Sequence, residues 1–169
     1  IDKKKYTNLK LGVQSFASKN FSYVKEFIKV NKRLKFDIVE IHNRPSYINQ
    51  IVNSDSKIKL VLIFHNNPIT LGGSKTFKER KLLLEKCHKL IFVSNWVKER
   101  FFEDFEKKNH HKCTVIYPSI IPIAKFPKKE NIISFVGKLN RSKGFNVFGK
   151  SILSILKKYK NWSAVVVGD

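Results

Sequence analysis

The sequence has no methionine, only two cysteines, and 13 acidic residues set against 34 lysines and arginines. Each shortage excludes something. Cys87 and Cys113 cannot frame a disulfide-stapled domain, and a reducing cytosol fits them. Long hydrophobic runs are also missing. Leu60–Phe64 and Ala164–Val167 are strand-length and far short of the roughly 20 residues of a membrane-spanning helix. No apolar stretch of the kind a secretory leader carries stands behind Ile1-Asp2-Lys3-Lys4-Lys5. The missing initiator methionine, and an end at Val167-Gly168-Asp169 where a buried strand passes into a loop, lead us to expect a piece of a longer protein. Such a piece would be incomplete at both ends and inactive by itself.

What is present is enough for a packed core: 42% of the residues are hydrophobic and 14 are Phe, which excludes a disordered chain. The net charge of +21 invites a polyanion partner. Lysine far outnumbers arginine and is spread along the whole chain, whereas readers of nucleic acid favour arginine clustered on one face. We therefore read the charge chiefly as compositional and expect no nucleic acid. An anionic membrane surface is a second source of such a bias, and RNA a third.

Apolar patterns alternate between helical and extended periods from residue 21 onward. A helix is expected over Phe21–Leu34, with Val24, Phe27, Ile28 and Leu34 inward, followed by a strand over Phe36–Ile41. Pro45 should open a helix that turns Tyr47, Ile48, Ile51 and Val52 inward. The second strand is Leu60–Phe64, and Asn66–Lys75 is the longest loop. Thr76 and Glu79 form a capping box for a helix over Phe77–Cys87. Leu90–Val93 is a third strand, after which Ser94 caps a helix carrying Trp96, Val97, Phe101 and Phe105. We expect Trp96, Phe101 and Phe102 to be core. Cys113–Tyr117 is a fourth strand. Three prolines in 118–129 mark a connection, beyond which come a strand at Ile132–Val136, a helix from about Lys143 to Tyr159 and a strand at Ser163–Val167. The second helix should bury Phe145, Phe148, Ile152, Ile155 and Leu156. These patterns predict an α/β chain with parallel sheets covered on both faces, in two units.

In open α/β sheets ligands bind beyond the carboxyl ends of the strands. That rule selects the loops beginning at His42, His65, Ser94 and Gly137. The last reads Phe135-Val136-Gly137-Lys138-Leu139-Asn140-Arg141-Ser142-Lys143-Gly144. A glycine behind a strand lets a ligand approach the backbone, and a helix start with Lys138, Arg141 and Lys143 close by favours an anion, a diphosphate above all. A solvated basic loop is the other reading. Neither the Walker loop nor the Gly-x-Gly-x-x-Gly pattern is present. Cys87-His88 and His110-His111-x-Cys113 fit no standard zinc spacing, so no metal site is expected.

Taken together, several stretches resemble retaining glycosyltransferases of the family-4 type. Phe135–Leu139 with Lys143-Gly144 is similar to that family's glycine-arginine-leucine…lysine-glycine signature. Phe36–Asn43 resembles its strand leading to the interdomain cleft, Phe64-His65-Asn66 its strand-end histidine, Leu90–Trp96 its strand-serine-helix unit, and Val115–Pro118 its domain crossing. The resemblance covers roughly 36–169. It implies two Rossmann-like parallel-sheet domains (the GT-B arrangement), both incomplete. Residues 1–118 would be the acceptor-side domain lacking its start, 119–130 the linker, and 131–169 the beginning of the donor-binding domain.

Carried over by residue, the resemblance makes His65 the catalytic candidate. Gly137, Lys138 and Lys143 would bind the donor, with His42, Asn43, Ser94 and Asn95 on the cleft or acceptor side. Lys138 stands where the family usually has arginine, replacing a bidentate contact with a point charge. Pro118-Ser119 replaces the usual Asn-Gly. The family's N-terminal glycine-rich loop and its paired glutamates do not occur in these residues. The implied activity is transfer of a hexose from a nucleoside-diphosphate sugar to an envelope glycan or glycolipid, as in lipopolysaccharide or polysaccharide biosynthesis. It would be metal-independent, with no cofactor, in the cytoplasm or peripherally on the inner face of the membrane. A non-catalytic basic Rossmann-like module that binds RNA or another polyanion is the alternative.

Overall fold

Four short parallel strands and their crossovers build the first part of the computed structural model, which describes residues 19–55, 57–122, 125 and 128–169. The chain divides into two compact units, Ile1–Ile120 and Ile121–Asp169, and the break falls inside the proline-bearing stretch. In the first unit α1 (Lys19–Leu34) precedes β1 (Ile38–His42), α2 (Ile48–Ser54) and β2 (Lys59–Phe64). These are followed by α3 (Phe77–Lys86), β3 (Lys89–Phe92), α4 (Asn95–Phe101) and β4 (Cys113–Val115). Short 3-10 turns at Pro45–Tyr47 and Pro68–Thr70 prepare α2 and the long loop. Pro45 thus opens a turn of 3-10 helix, and the α-helix begins three residues later than its position alone predicts.

The strands lie side by side in chain order, β1-β2-β3-β4. Their register sets Ile41 beside Leu62, Leu62 beside Leu90, and Leu90 beside Cys113. Val39, Ile41, Leu60, Leu62, Phe64, Leu90, Phe92 and Cys113 therefore share one face, because side chains alternate along a strand and paired positions point the same way. That face is the core: Leu60, Leu62, Phe64, Leu90 and Phe92 are all fully buried. On the other face Val61, Ile63 and Ile91 are only half-buried, and Ile38, Glu40 and His42 are exposed. The expectation that both faces are covered does not hold among the described residues. Topology supplies the reason. Each crossover steps in the same direction, so right-handed connections carry α2, α3 and α4 to the same side of the sheet.

Local signals place the helices well. Thr76 and Glu79 form the reciprocal capping box, with Thr76 Oγ1 accepting from the Glu79 N–H at 3.2 Å and Glu79 Oε2 accepting from the Thr76 N–H at 2.8 Å. Phe64, Phe92 and Phe101 pack with ring centroids 5.2–5.5 Å apart, joining β2, β3 and α4. Phe102 is buried beside them, but Trp96 is 55% exposed and is not core. Leu34 is also largely exposed, while Phe36 lies before β1 and stacks on Phe27 instead of extending the strand.

The second unit is a single βαβ: β5 (Ile132–Val136), α5 (Phe145–Lys158) and β6 (Ser163–Val167), the strands parallel and in register from Ile132 beside Ser163 to Val136 beside Val167. Phe135 packs against Phe145 and Phe148, each at 5.3 Å. Of the five residues expected inward on the helix only Ile152 is fully buried, and the other four are half-buried. Val136, Val165, Val166 and Val167 stay exposed. Two strands and one helix offer too little surface to bury both faces of a sheet. Among the described residues no helix is long and apolar enough to cross a membrane.

Candidate functional site

The first site candidate is built where β1 and β2 end. Each exposed polar residue there follows a buried anchor: His42 follows Ile41, and His65 follows Phe64, which fixes the point where each side chain leaves the sheet. Asn43 then joins the two loops. It adopts a left-handed backbone (φ 51°), a conformation asparagine tolerates better than most residues. Its N–H donates to the Ile63 carbonyl at 2.9 Å, and its Oδ1 accepts from the N–H groups of His65 at 2.8 Å and Asn66 at 3.3 Å. This locks the two strand ends together and brings the imidazoles into contact, with His42 Nδ1 2.9 Å from His65 Nε2. Glu40, two residues back on the same face of β1, places Oε2 3.8 Å from His42 Nε2. Arg44 donates to the Asn43 carbonyl at 3.0 Å.

Ser94 and Asn95 stand at the end of the neighbouring strand, β3. The Ser94 hydroxyl accepts from the Val97 N–H at 3.2 Å and so is engaged as the cap of α4. Asn95 is exposed. The structure gives neither side chain a contact with the histidines. Sequence reasoning placed His42 and His65 at strand ends separately and overlooked both their contact and Glu40. The signal was the period-two spacing of Glu40 and His42 in an otherwise apolar strand.

The second candidate lies at the carboxyl ends of β5 and β6. The Gly137 N–H donates to the Val167 carbonyl at 2.9 Å, and the Leu139 N–H to the Asp169 carbonyl at 3.0 Å. Gly168 packs so closely that a Cβ there would overlap the Gly137 carbonyl oxygen. Arg141–Lys143 form a 3-10 turn ahead of α5, so Lys143 precedes the helix instead of opening it. The Lys143 N–H is also taken: it donates to Asn140 Oδ1 at 3.1 Å, and the Phe145 N–H donates to the Asn140 carbonyl at 3.3 Å. An anion here would be held by side-chain charge more than by free backbone N–H groups. Lys138, Arg141 and Lys143 are all exposed, and no carboxylate pairs with them among the described residues.

Burial pushes the Cys87 thiol up to about 12 and the Cys113 thiol up to about 11, despite nearby lysines that oppose the shift. No three His, Cys, Asp or Glu side chains among the described residues converge closely enough to hold a metal ion.

Fold and strand-end residues together define a Rossmann-like α/β protein with parallel sheets. The sequence profile described as Glycosyltransferase Family 4 matches residues 7–122, and the chain belongs to that family. It is 22% identical over 153 residues to "Putative glycosyltransferase YtcC" of Bacillus subtilis (strain 168), covering 79% of this chain and 37% of that protein. The fold is shared with a crystal structure of accessory secretory protein 1, 2 and 3 of Streptococcus pneumoniae, at TM-score 0.53 and 16% identity, covering 89% of this chain and 36% of that one. The chain spans little more than a third of the length of either relative.

Proposed function

We propose that this chain supplies the acceptor-side unit, and the start of the donor-binding unit, of a retaining GT-B glycosyltransferase. The reaction moves a hexose from a nucleoside-diphosphate sugar to an envelope glycan or glycolipid. The observation that carries the reading is the placement of both polar clusters at carboxyl ends of parallel strands: His42, Asn43 and His65 in one unit, Gly137, Lys138 and Lys143 in the other. Lys138 and Lys143 stabilise the charge that develops on the departing nucleoside diphosphate, a task that needs fixed cations and no metal ion. Gly137 keeps the backbone open to the diphosphate. His65 stands beside the transferred sugar and the acceptor hydroxyl, and Asn43 fixes the loop that carries it. The basic surface favours attachment to the anionic inner leaflet of the membrane.

Titration with UDP, GDP and the matching nucleosides tests the donor site. Diphosphate-dependent binding that weakens in Lys138→Ala and Lys143→Ala supports it, and binding indifferent to both lysines refutes it. Tight, salt-dependent RNA binding with no preference for nucleoside diphosphates would favour the polyanion-binding alternative.

A further inference from the structure

The contact between the two histidines has a direction. Their ring centroids are 5.2 Å apart with an interplanar angle of 22°, and the closest nitrogens are 2.9 Å apart. Those values together describe two imidazoles meeting edge to edge along a nitrogen–nitrogen line, as an in-plane hydrogen bond requires. A neutral imidazole carries one N–H and one acceptor nitrogen, so one ring must donate and the other accept. Glu40 decides which. Its carboxylate can only accept and faces His42 Nε2 at 3.8 Å. A proton on that nitrogen is attracted to the carboxylate, whereas a lone pair there would be repelled by it. That attraction favours His42 with its proton on Nε2 and its Nδ1 as the acceptor. His65 in turn must donate from Nε2, which leaves its Nδ1 as the unprotonated nitrogen. The structure gives that atom no partner among the described residues.

We propose that His42, oriented by Glu40, is a positioning residue that holds His65 in its Nε2–H form, so that His65 Nδ1 presents a lone pair to a substrate hydroxyl. The role of that lone pair rests on the glycosyl-transfer reading above; the proton's position does not. A proton can pass through the pair with full balance. As His65 Nδ1 takes the hydroxyl proton, the His65 Nε2–H bond breaks and a His42 Nδ1–H bond forms. The resulting imidazolium is then His42, beside the Glu40 carboxylate.

The test is nitrogen-15 NMR of the ring nitrogens in the full 169-residue chain, which holds only five histidines. The expected result is a set of ring-nitrogen shifts that place the proton on His65 Nε2 and leave His65 Nδ1 and His42 Nδ1 unprotonated. In His42→Phe that preference of His65 for the Nε2–H form should be lost. In His42→Asn, whose side-chain oxygen occupies nearly the position of Nδ1, it should return. In Glu40→Gln the proton should shift toward His42 Nδ1. A proton residing on His42 Nδ1 in the native chain would overturn the proposal, as would a His65 tautomer unchanged in His42→Phe or not restored in His42→Asn. A native distribution unchanged in Glu40→Gln would overturn the part given to Glu40. None of these readouts needs a sugar donor, so a negative nucleotide titration would count against the donor site and leave the result on the histidine pair standing.

Discussion

Arg80 offers the sharpest test of how the first unit is held together. It is 1% exposed and reaches across from α3 to the turn after α4. Nη1 donates to the Lys75 carbonyl at 2.9 Å, and Nη2 donates to the Glu103 carbonyl at 2.7 Å and to Asp104 Oδ2 at 2.9 Å. The guanidinium carbon also sits 5.8 Å from the centroid of the Phe105 ring. Replacing Arg80 by alanine strands two carbonyls and removes a fully packed side chain. Hydrogen bonds to a charged group contribute about 1.5–3 kcal/mol each, with partial compensation where water can enter. We expect a loss of about 3–4 kcal/mol, a large fraction of the roughly 5–15 kcal/mol typical of a whole domain. Arg80→Met keeps most of the volume and should cost about 2 kcal/mol, chiefly the lost bonds. Asp104 is the control. Its side chain is 68% exposed, so solvent screens the ion pair and Asp104→Ala should cost no more than about 1 kcal/mol. Urea unfolding followed by circular dichroism reads all three. At a slope of about 2 kcal/mol per molar, Arg80→Ala should lower the midpoint by roughly 1.5–2 M. A shift under about 0.5 M, or one matched by Asp104→Ala, would refute the idea that the two carbonyl bonds hold the turn.

Cys87 and Cys113 are buried with thiols pushed up to about 12 and 11, so neither should react with a disulfide reagent at pH 8 until the chain is unfolded. A rapid native-state reaction of either would contradict that burial. His110 is held below its ordinary value, first by burial and then by His111 and Lys112, and its Nδ1 accepts the Lys112 N–H at 3.2 Å. The folded chain therefore binds its proton less readily than the unfolded chain does. The associated stability is present above about pH 6.5 and is lost as pH falls through the lower folded value. Urea midpoints should fall between pH 7.5 and 5.5, and the fall should shrink in His110→Asn, which keeps an acceptor without the titration. Ser94→Ala removes the α4 cap and should cost about 1 kcal/mol.

Much of the fold is legible in sequence because its signals are local. The capping box at Thr76 and Glu79 and the cap at Ser94 place two helix starts correctly, while Ile132–Val136 and Ser163–Val167 match their strands residue for residue. What fails is what depends on partners. Apolar runs such as Leu60–Phe64 imply burial on both faces, but the sequential strand order sends every crossover to one side. Trp96 has the helical spacing of a core residue, yet it falls on the outer side of α4 while Val97 and Phe101 point inward. Arg80 would be read as part of a polar helix face. Nothing local announces that the main chain at Glu103 will be its acceptor.

The two site candidates show the same division at a finer scale. Strand-end position identifies His42, His65 and the Gly137 loop, because any parallel α/β sheet exposes its carboxyl ends. Their electrostatics depend on residues that carry no motif. Asn140 occupies the Lys143 N–H with its side chain and the Phe145 N–H with its carbonyl, so these two donors are not offered to an anion and the three exposed cations carry more of the attraction. Binding of a diphosphate there should accordingly depend steeply on salt, as an interaction between exposed surface charges does, more than a nest of backbone donors would. Asn43 does the opposite in the first unit. By bonding two N–H groups of the facing loop it spends its own side chain on geometry, and so brings His42 and His65 to hydrogen-bonding distance. A substitution at Asn43 should therefore act on His65 through the backbone even if no substrate ever touches it.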